Sequence, residues 1–143
     1  MRAADVNLLV YAHRPDVDRH DEYRQWLDDA RRGPEPLGLA DVVLSGFLRV
    51  TTHPKVFRRP TPLHIALDFA ESLRSSPAVV SIAPGARHWA IFRDLCQTIE
   101  ARGNDVPDTY LAALAIENGA TWCSADRSFA RYPTLRWEHP LDG

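Results

Sequence analysis

The chain opens with MRAADVNLLVYA, residues 1–12, in which one acidic residue divides a short apolar stretch. This pattern predicts a very short strand that ends near Asp5, followed by a helical turn from Asn7 to Ala12. A single strand through Tyr11 fits nearly as well, because periodicity does not separate the two over so short a stretch. An ionised carboxylate at the edge of a core is costly unless it is paired or binds a cation. Asp5 is therefore the first candidate site residue.

Segments with strand and helix patterns alternate along the rest of the chain. Strands are predicted at 37–39, 79–82, 120–124 and 135–137, and helices at 20–32, 41–50, 63–75, 86–101 and 107–118. Residues 51–62 contain three prolines and are predicted to form a loop or a broken helix at the surface. The alternation predicts one α/β domain over residues 1–143 with a mainly parallel sheet, whose ligands bind beyond the carboxyl ends of the strands.

Several side chains have expected places in these elements. Asp41 is expected to cap the helix at 41–50, and Trp89 to lie on the inner face of the helix at 86–101 with Phe92. Cys96 and Cys123 lack any metal-ligand spacing, so both are expected to be buried free thiols.

The composition is that of a globular chain, with 45% hydrophobic and 25% charged residues among 143. No apolar run approaches the roughly 20 residues of a membrane span. An acid within the first apolar stretch argues against a signal peptide, so we expect a cytoplasmic protein without membrane contact. The net charge of −2 creates no global attraction to nucleic acid, although it leaves room for a local basic strip.

Two further aspartates lie where apolar segments begin or end. Asp108 is in the first turn of the helix at 107–118, on the face of Leu111 and Ala112, and either caps that helix or binds a ligand. Asp126 follows the strand at 120–124 and either opens a turn, caps the short segment 127–130, or contributes to a site. Several carboxylates brought together repel one another unless a cation lies between them. Oxygen-only ligands favour Mg²⁺ or Mn²⁺.

Five spaced motifs join these aspartates into one pattern. They are DVNLLVYA at 5–12, FLRVTTHPKVF at 47–57, RHW at 87–89, ARGN at 101–104 before Asp108, and SADRSFARYP at 124–133 with LRW at 135–137. In this order they resemble the motifs of PIN-domain ribonucleases, and in particular the VapC-type toxins of actinobacteria. The resemblance covers nearly the whole chain.

The resemblance implies a PIN-like α/β/α sandwich that cleaves RNA with Mg²⁺, or with Mn²⁺ as its substitute. It places Asp5, Asp108 and Asp126 at catalytic metal-site positions, with Asn7 and Ser124 in support. A metal held by Asp5 and Asp108 would polarise the scissile phosphate and acidify a water, with a second ion near Asp126. The family also implies a VapB-type antitoxin as partner and a homodimer.

One position departs from the family pattern. Gly46 stands where many members have a glutamate just before Phe-Leu-Arg, and glycine offers no side-chain ligand. The alternative is therefore a weakened or inactive PIN domain that binds RNA or antitoxin without cleavage. Asp41 or Asp105 are candidates to replace part of the missing charge. If the glutamate alone is missing, Gly46→Glu is expected to tighten Mn²⁺ binding.

Two other interpretations concern different residues. The cations Arg49, Lys55, Arg58 and Arg59 are candidate contacts for RNA phosphates, or solvated charges without a role. A phosphatase that uses Asp5 as its nucleophile is disfavoured, because Asn7 stands where the commonest of those families has a second aspartate.

Overall fold

The computed structural model describes residues 1–142 and contains five strands and six α-helices in that range. Their bounds are β1 Arg2–Ala4, α1 Val6–His13, α2 His20–Ala30, β2 Leu37–Ala40, α3 Asp41–Thr51, α4 Leu63–Arg74, β3 Val79–Ile82, α5 His88–Ile99, α6 Asp105–Glu117, β4 Thr121–Cys123 and β5 Trp137–Glu138. A short 3-10 helix, Arg127–Arg131, lies between β4 and β5. The predicted α/β fold is confirmed. The predicted domain of residues 1–143 ends at Gly143, which lies outside the described residues.

The five strands form one parallel sheet in the order β3-β2-β1-β4-β5. The chain moves outward from the central β1 to β3, then returns across the sheet to place β4 on the other side of β1. Right-handed crossovers then put α1 to α4 on one face of the sheet and α5 and α6 on the other. The order reverses between β1 and β4, where an open α/β sheet forms its ligand crevice.

The first twelve residues form a strand and a helix, which settles the alternative left open by the sequence. β1 ends at Ala4, and Asp5 is extended, with its side chain accepting a hydrogen bond from the Val6 backbone N–H. This bond satisfies one of the free N–H groups at the start of α1. Asp5 thus ends the central strand and starts the first helix.

The core is built on small side chains around this central strand. Ala3 and Ala4 of β1 are buried, and so is the run from Ala112 to Ala115 in α6. The alanines allow α6 to pack closely and bring its first turn, with Asp108, to the edge of the sheet.

Two side-chain predictions are wrong. Asp41 is already the first residue of α3, because β2 runs directly into the helix, and its carboxylate makes no capping bond but lies 3.5 Å from Arg74. Trp89 is 67% exposed, because α5 begins only at His88 and Trp89 projects from its first turn outside the core. Cys96 and Cys123 are free thiols, of which Cys123 is buried and Cys96 only half-buried.

The predicted loop at 51–62 is confirmed from residue 52, where α3 has ended, to the start of α4. Within residues 1–142, no helix is long and apolar enough to cross a membrane.

Candidate metal site and its surroundings

Three aspartates from separate segments line one pocket of about 350 Å³. Asp5 directly follows β1, Asp126 lies three residues after β4, and Asp108 is in the first turn of α6. The pocket therefore lies at the carboxyl ends of β1 and β4, where the strand order reverses.

Asp5 is the most buried of the three carboxylates, with 6% of its surface exposed. Its Oδ1 accepts a hydrogen bond from the Val6 N–H (2.7 Å), and its Oδ2 accepts one from the Ser124 hydroxyl (2.6 Å). Burial, together with repulsion from Asp108 and Asp126, raises the pKa of Asp5 to about 6 in spite of the two hydrogen bonds, which lower it. The environment of this group therefore favours a nearby cation.

Ser124 and Asn7 connect the residues after β1 to those after β4. The fully buried Ser124 Oγ accepts from Asn7 Nδ2 (3.1 Å) and from the Asp126 N–H (3.0 Å), while it donates to Asp5. Asn7 Nδ2 also lies 3.4 Å from Asp5 Oδ2, and its Oδ1 accepts from the Ala125 N–H (3.2 Å). These two side chains fix the orientation of the Asp5 carboxylate.

Asp108 is one-third exposed, and the pKa of its carboxyl is raised by burial and by the charge of Asp126. Arg131 opposes this shift, with Nη2 at 3.5 Å from a carboxylate oxygen of both Asp108 and Asp105. The N-cap of α6 is Asn104, so Asp108 does not cap the helix. Sequence reasoning quoted Arg131 within a motif but did not assign it this position.

Asp126 caps a short helix and also lies at the acidic pocket. Its Oδ1 accepts from the Ser128 N–H (2.9 Å) and caps the 3-10 helix, and the residue also lines the acidic pocket. The same short helix carries Arg131 at its other end, so one element places both an acid and a cation near Asp108.

The donor chemistry of this pocket fits a hard divalent cation, since its charged groups are carboxylates. Among residues 1–142, however, no three acidic, histidine or cysteine side chains are grouped closely enough to hold a metal ion. Because three like charges on one pocket repel, the carboxylates face a common space without forming a closed ligand set.

The four predicted RNA contacts belong to two surfaces. Arg49 is exposed on α3 and lines a second groove, of about 600 Å³, that adjoins the acids and shares Asp5 and Asp108 with the pocket. Lys55, Arg58 and Arg59 are exposed in the loop after α3. Val56 and Phe57 of the same loop line the acidic pocket.

Sequence reasoning missed the buried Arg14, which lies just after α1 and contacts this loop. Its nearest sequence signal is Asp16, two residues on, with which it forms an ion pair of 2.7 Å. No periodicity separates such an arginine from a solvated one.

Gly46 lines the groove together with Asp5 and Asp108. A Cβ at this position would lie 2.8 Å from Val6 Cγ2, so glycine lets α3 approach α1 closely. Neither Asp41 nor Asp105 lines the pocket or the groove, and each lies near an arginine instead. The missing carboxylate is not replaced by either of the two residues suggested from the sequence.

A family model and individual relatives assign the chain to the same family. The PIN domain model matches residues 3–135. The chain is 51% identical over 143 residues to VapC ribonuclease Mb2897 of Mycobacterium bovis, covering 100% of this chain and 97% of the relative. It is 36% identical to ribonuclease VapC25 of Mycobacterium tuberculosis, covering 95% and 96% of the two chains.

Solved structures of low sequence identity share the fold. VapBC2 from Rickettsia felis, bound to a promoter DNA fragment, matches with a TM-score of 0.71 and 20% identity over 96% of this chain and 97% of that one. VapC20 of Mycobacterium tuberculosis, described as a toxin that cleaves the sarcin-ricin loop, matches with a TM-score of 0.64 and 17% identity over 95% and 99%. The chain belongs to the PIN-domain family and, within it, to the VapC ribonucleases.

The raised pKa of Asp5 makes the stability of the metal-free protein depend on pH. The folded protein holds this proton more tightly than the unfolded chain, in which the pKa is 3.8. The resulting stability is complete below that value and is lost as the pH rises through about 6. In EDTA, the free energy of unfolding of the protein minus that of Asp5→Asn should fall by on the order of 3 kcal/mol from about pH 4 to 7.5. Urea unfolding across this range measures it, and a constant difference would contradict the raised pKa.

The close contact at Gly46 changes what Gly46→Glu is expected to do. Alone, it should lower the free energy of unfolding by about 1–3 kcal/mol, because its Cβ meets Val6. Val6→Ala removes the clash and leaves only the Val6 Cβ, at 3.8 Å. The double variant Val6→Ala/Gly46→Glu should then bind Mn²⁺ about tenfold more tightly than the matched control Val6→Ala/Gly46→Ala. Titration calorimetry compares the two. Equal affinities in folded proteins would mean that position 46 does not face the metal.

Proposed function

We propose that the chain is a metal-dependent endoribonuclease that hydrolyses RNA phosphodiester bonds and acts as the toxin of a toxin-antitoxin pair. The observation on which this rests is the meeting of Asp5, Asp108 and Asp126 in one pocket at the reversal of strand order. The 51% identity to a VapC ribonuclease over the whole chain supports it.

In this proposal Asp5, Asp108 and Asp126 hold Mg²⁺, or Mn²⁺ in its place. A bound ion of this kind would polarise a phosphate and lower the pKa of an attacking water. Asp5 supplies a carboxylate whose pKa is raised by burial, and a cation beside it would stabilise the charged form. Ser124 and Asn7 hold its Oδ2 in place, so the ligand is oriented before RNA arrives.

The chain's own residues also shape the space around the phosphate. The acidic pocket has apolar walls formed by Val10 and Tyr11 of α1 and by Val56 and Phe57 of the loop after α3. Such walls exclude bulk water and strengthen the electrostatic interactions inside. Asp126 has one oxygen committed to the Ser128 N–H, which leaves the other for a ligand or a water.

A covalent role for Asp5 is less well supported. Both of its oxygens accept hydrogen bonds, from Val6 on one side and from Ser124 on the other. These bonds stabilise the carboxylate charge and reduce its tendency to attack a phosphate, which disfavours the phosphatase interpretation. The inactive PIN domain remains the second candidate, because Gly46 has no replacement ligand at Asp41 or Asp105.

We also propose that the groove beside the acids receives the antitoxin. A solved structure of similar fold is described as a toxin-antitoxin complex from Klebsiella pneumoniae. The groove is lined mainly by apolar side chains, among them Val42, Phe92, Val106 and Leu111, and Asp5 and Asp108 lie in the same groove. An antitoxin segment with an apolar face and one cation would match both features.

A homodimer remains part of the proposal as well. Leu63, Ile65 and Leu67 of α4 and Trp89 of α5 are exposed apolar side chains outside the pocket and groove. An interface between copies of the chain would remove such surface from water.

Cleavage should depend on Asp108 and not on its neighbour Asp105. Both acids lie 3.5 Å from Arg131, but only Asp108 lines the pocket. With total RNA and Mn²⁺, Asp108→Asn should slow cleavage at least about 100-fold, because a metal ligand contributes several kcal/mol to the transition state. Asp105→Asn should change it less than about threefold. Gel analysis with and without EDTA measures this. Cleavage that persists in EDTA would exclude the metal mechanism. If no cleavage occurs with any divalent metal, the inactive PIN domain is favoured.

The groove should be required for silencing by the antitoxin, which we expect to be a small protein encoded beside the chain. Expression of the chain alone should arrest growth, Asp5→Ala should relieve the arrest, and co-expression of the neighbour should restore growth. Val42→Asp should weaken binding of the neighbour at least about tenfold, because it places a charge among apolar contacts. Val80→Asp is the matched control, since Val80 is similarly exposed but lies outside the groove. Equal binding by the two variants would exclude the groove.

A further inference from the structure

The loop between α3 and α4, residues 52–62, is called here the basic loop. It contains Lys55, Arg58 and Arg59 and no acidic residue. All three cations are exposed, and none forms an ion pair with any residue in the described range. The same loop forms one wall of the acidic pocket through Val56 and Phe57. It therefore places three unneutralised positive charges beside the carboxylates.

The conformation of the basic loop is fixed on its buried side by Arg14, whose surface is only 9% exposed. Its Nη1 donates to the Arg59 carbonyl (2.8 Å) and to Thr61 Oγ1 (3.2 Å). Its Nε and Nη2 donate to the two oxygens of Asp16, at 3.0 and 2.7 Å. The guanidinium also lies 4.1 Å from the centre of the Phe57 ring. One planar group thus holds the loop backbone and the pocket wall together.

Other contacts restrain the same loop near its second end. The Thr61 N–H donates to the Thr51 carbonyl (2.8 Å), and His13 Nε2 lies 3.2 Å from Thr61 Oγ1. Pro54, Pro60 and Pro62 further limit the backbone. The loop is therefore ordered on its inner side while its cations face outward. Cations held on an ordered backbone lose less conformational entropy on binding than cations on a flexible one.

We propose that the basic loop binds the phosphate backbone of RNA next to the acidic pocket, and that Arg14 is the positioning residue that holds it there. The inference rests on the proposed function, because the strand whose phosphate enters the pocket must pass the wall that this loop forms. A flanking phosphate of that strand then meets Lys55, Arg58 or Arg59. An acidic protein segment lacks this continuity, since its carboxylates would gain nothing from a pocket of aspartates.

The salt dependence of RNA binding tests the loop. A labelled single-stranded RNA of mixed sequence is titrated in EDTA, so that binding is measured without cleavage. Replacing Lys55, Arg58 and Arg59 by alanine should reduce the slope of log affinity against log salt by about 2, at about 0.7 per phosphate contact. The matched control replaces Arg24, Arg32 and Arg136, which line neither the pocket nor the groove. Its slope should remain that of the unsubstituted protein.

The role of Arg14 is tested by Arg14→Met and Arg14→Lys, with circular dichroism to verify the fold. Both lose the planar fork that holds the loop backbone, so trypsin should cleave after Lys55 and Arg58 more rapidly and RNA binding should weaken about tenfold. In the protein that lacks the three loop cations, Arg14→Met should cause no further loss. A merely structural defect would instead lower the affinity by the same factor in both backgrounds, and full rescue by lysine would exclude the fork geometry.

Failure of the loop and failure of the proposed function give different results. If the triple alanine variant has an unchanged salt slope and the protein still cleaves RNA, the role of the loop in RNA binding is excluded and the proposed function stands. If RNA binding shows the expected slope but no cleavage occurs in Mn²⁺ or Mg²⁺, the role of the loop stands and the nuclease function is excluded. Loop-dependent binding of polyglutamate with a loop-independent RNA slope would assign the loop to an acidic protein partner and overturn the proposal.

Discussion

The buried carboxylate of Asp5 is the constraint on which the rest of the site depends. It ends the central strand and starts α1 within one residue, so the chain places a negative charge beside the core. Such a charge is tolerated only with hydrogen bonds or a cation. Ser124 and Val6 supply the bonds, and their geometry requires β4 to end beside β1. The orientation of the Asp5 carboxylate therefore depends on the reversal of strand order, which places β4 beside β1. Asp108 and Asp126 add charge to the same pocket, which raises the pKa of Asp5 further.

Close packing of α3 against α1 has a consequence for the chemistry. Gly46 has no side chain where many family members have a glutamate, and this allows α3 to contact Val6. The N–H of Val6 is the group that donates to Asp5. Position 46 is thus a tight contact between helices and, in the proposed metal site, a gap in the ligand set. Packed interiors respond to single methyl groups, so the two effects must be separated by changing Val6 as well. This explains why the sequence alone does not decide between a weakened and an active site.

The sequence predicted the order of strands and helices well, because apolar periodicity and proline positions determine it locally. It also named Asp5, Asp108 and Asp126, which the structure brings to one pocket, although their role in metal binding stays a prediction. Its errors were at element ends: Asp41 and Trp89 were misplaced because β2 leads directly into α3 and α5 begins later than expected. Arg14 was missed because its value lies in contacts with residues about 45 positions away, Arg59 and Thr61. Long-range bonds of this kind leave no periodic signal.

We infer that the three carboxylates form one cation site organised by Asp5. Paramagnetic broadening of backbone amide signals by substoichiometric Mn²⁺ can locate such a site. Amides near Asp5, Asp108 and Asp126 should broaden together at the same Mn²⁺ concentration, and Asp5→Asn should remove the effect at all three. Broadening that begins at exposed acids such as Asp21 and Glu22, or that persists near Asp108 and Asp126 without Asp5, would contradict it.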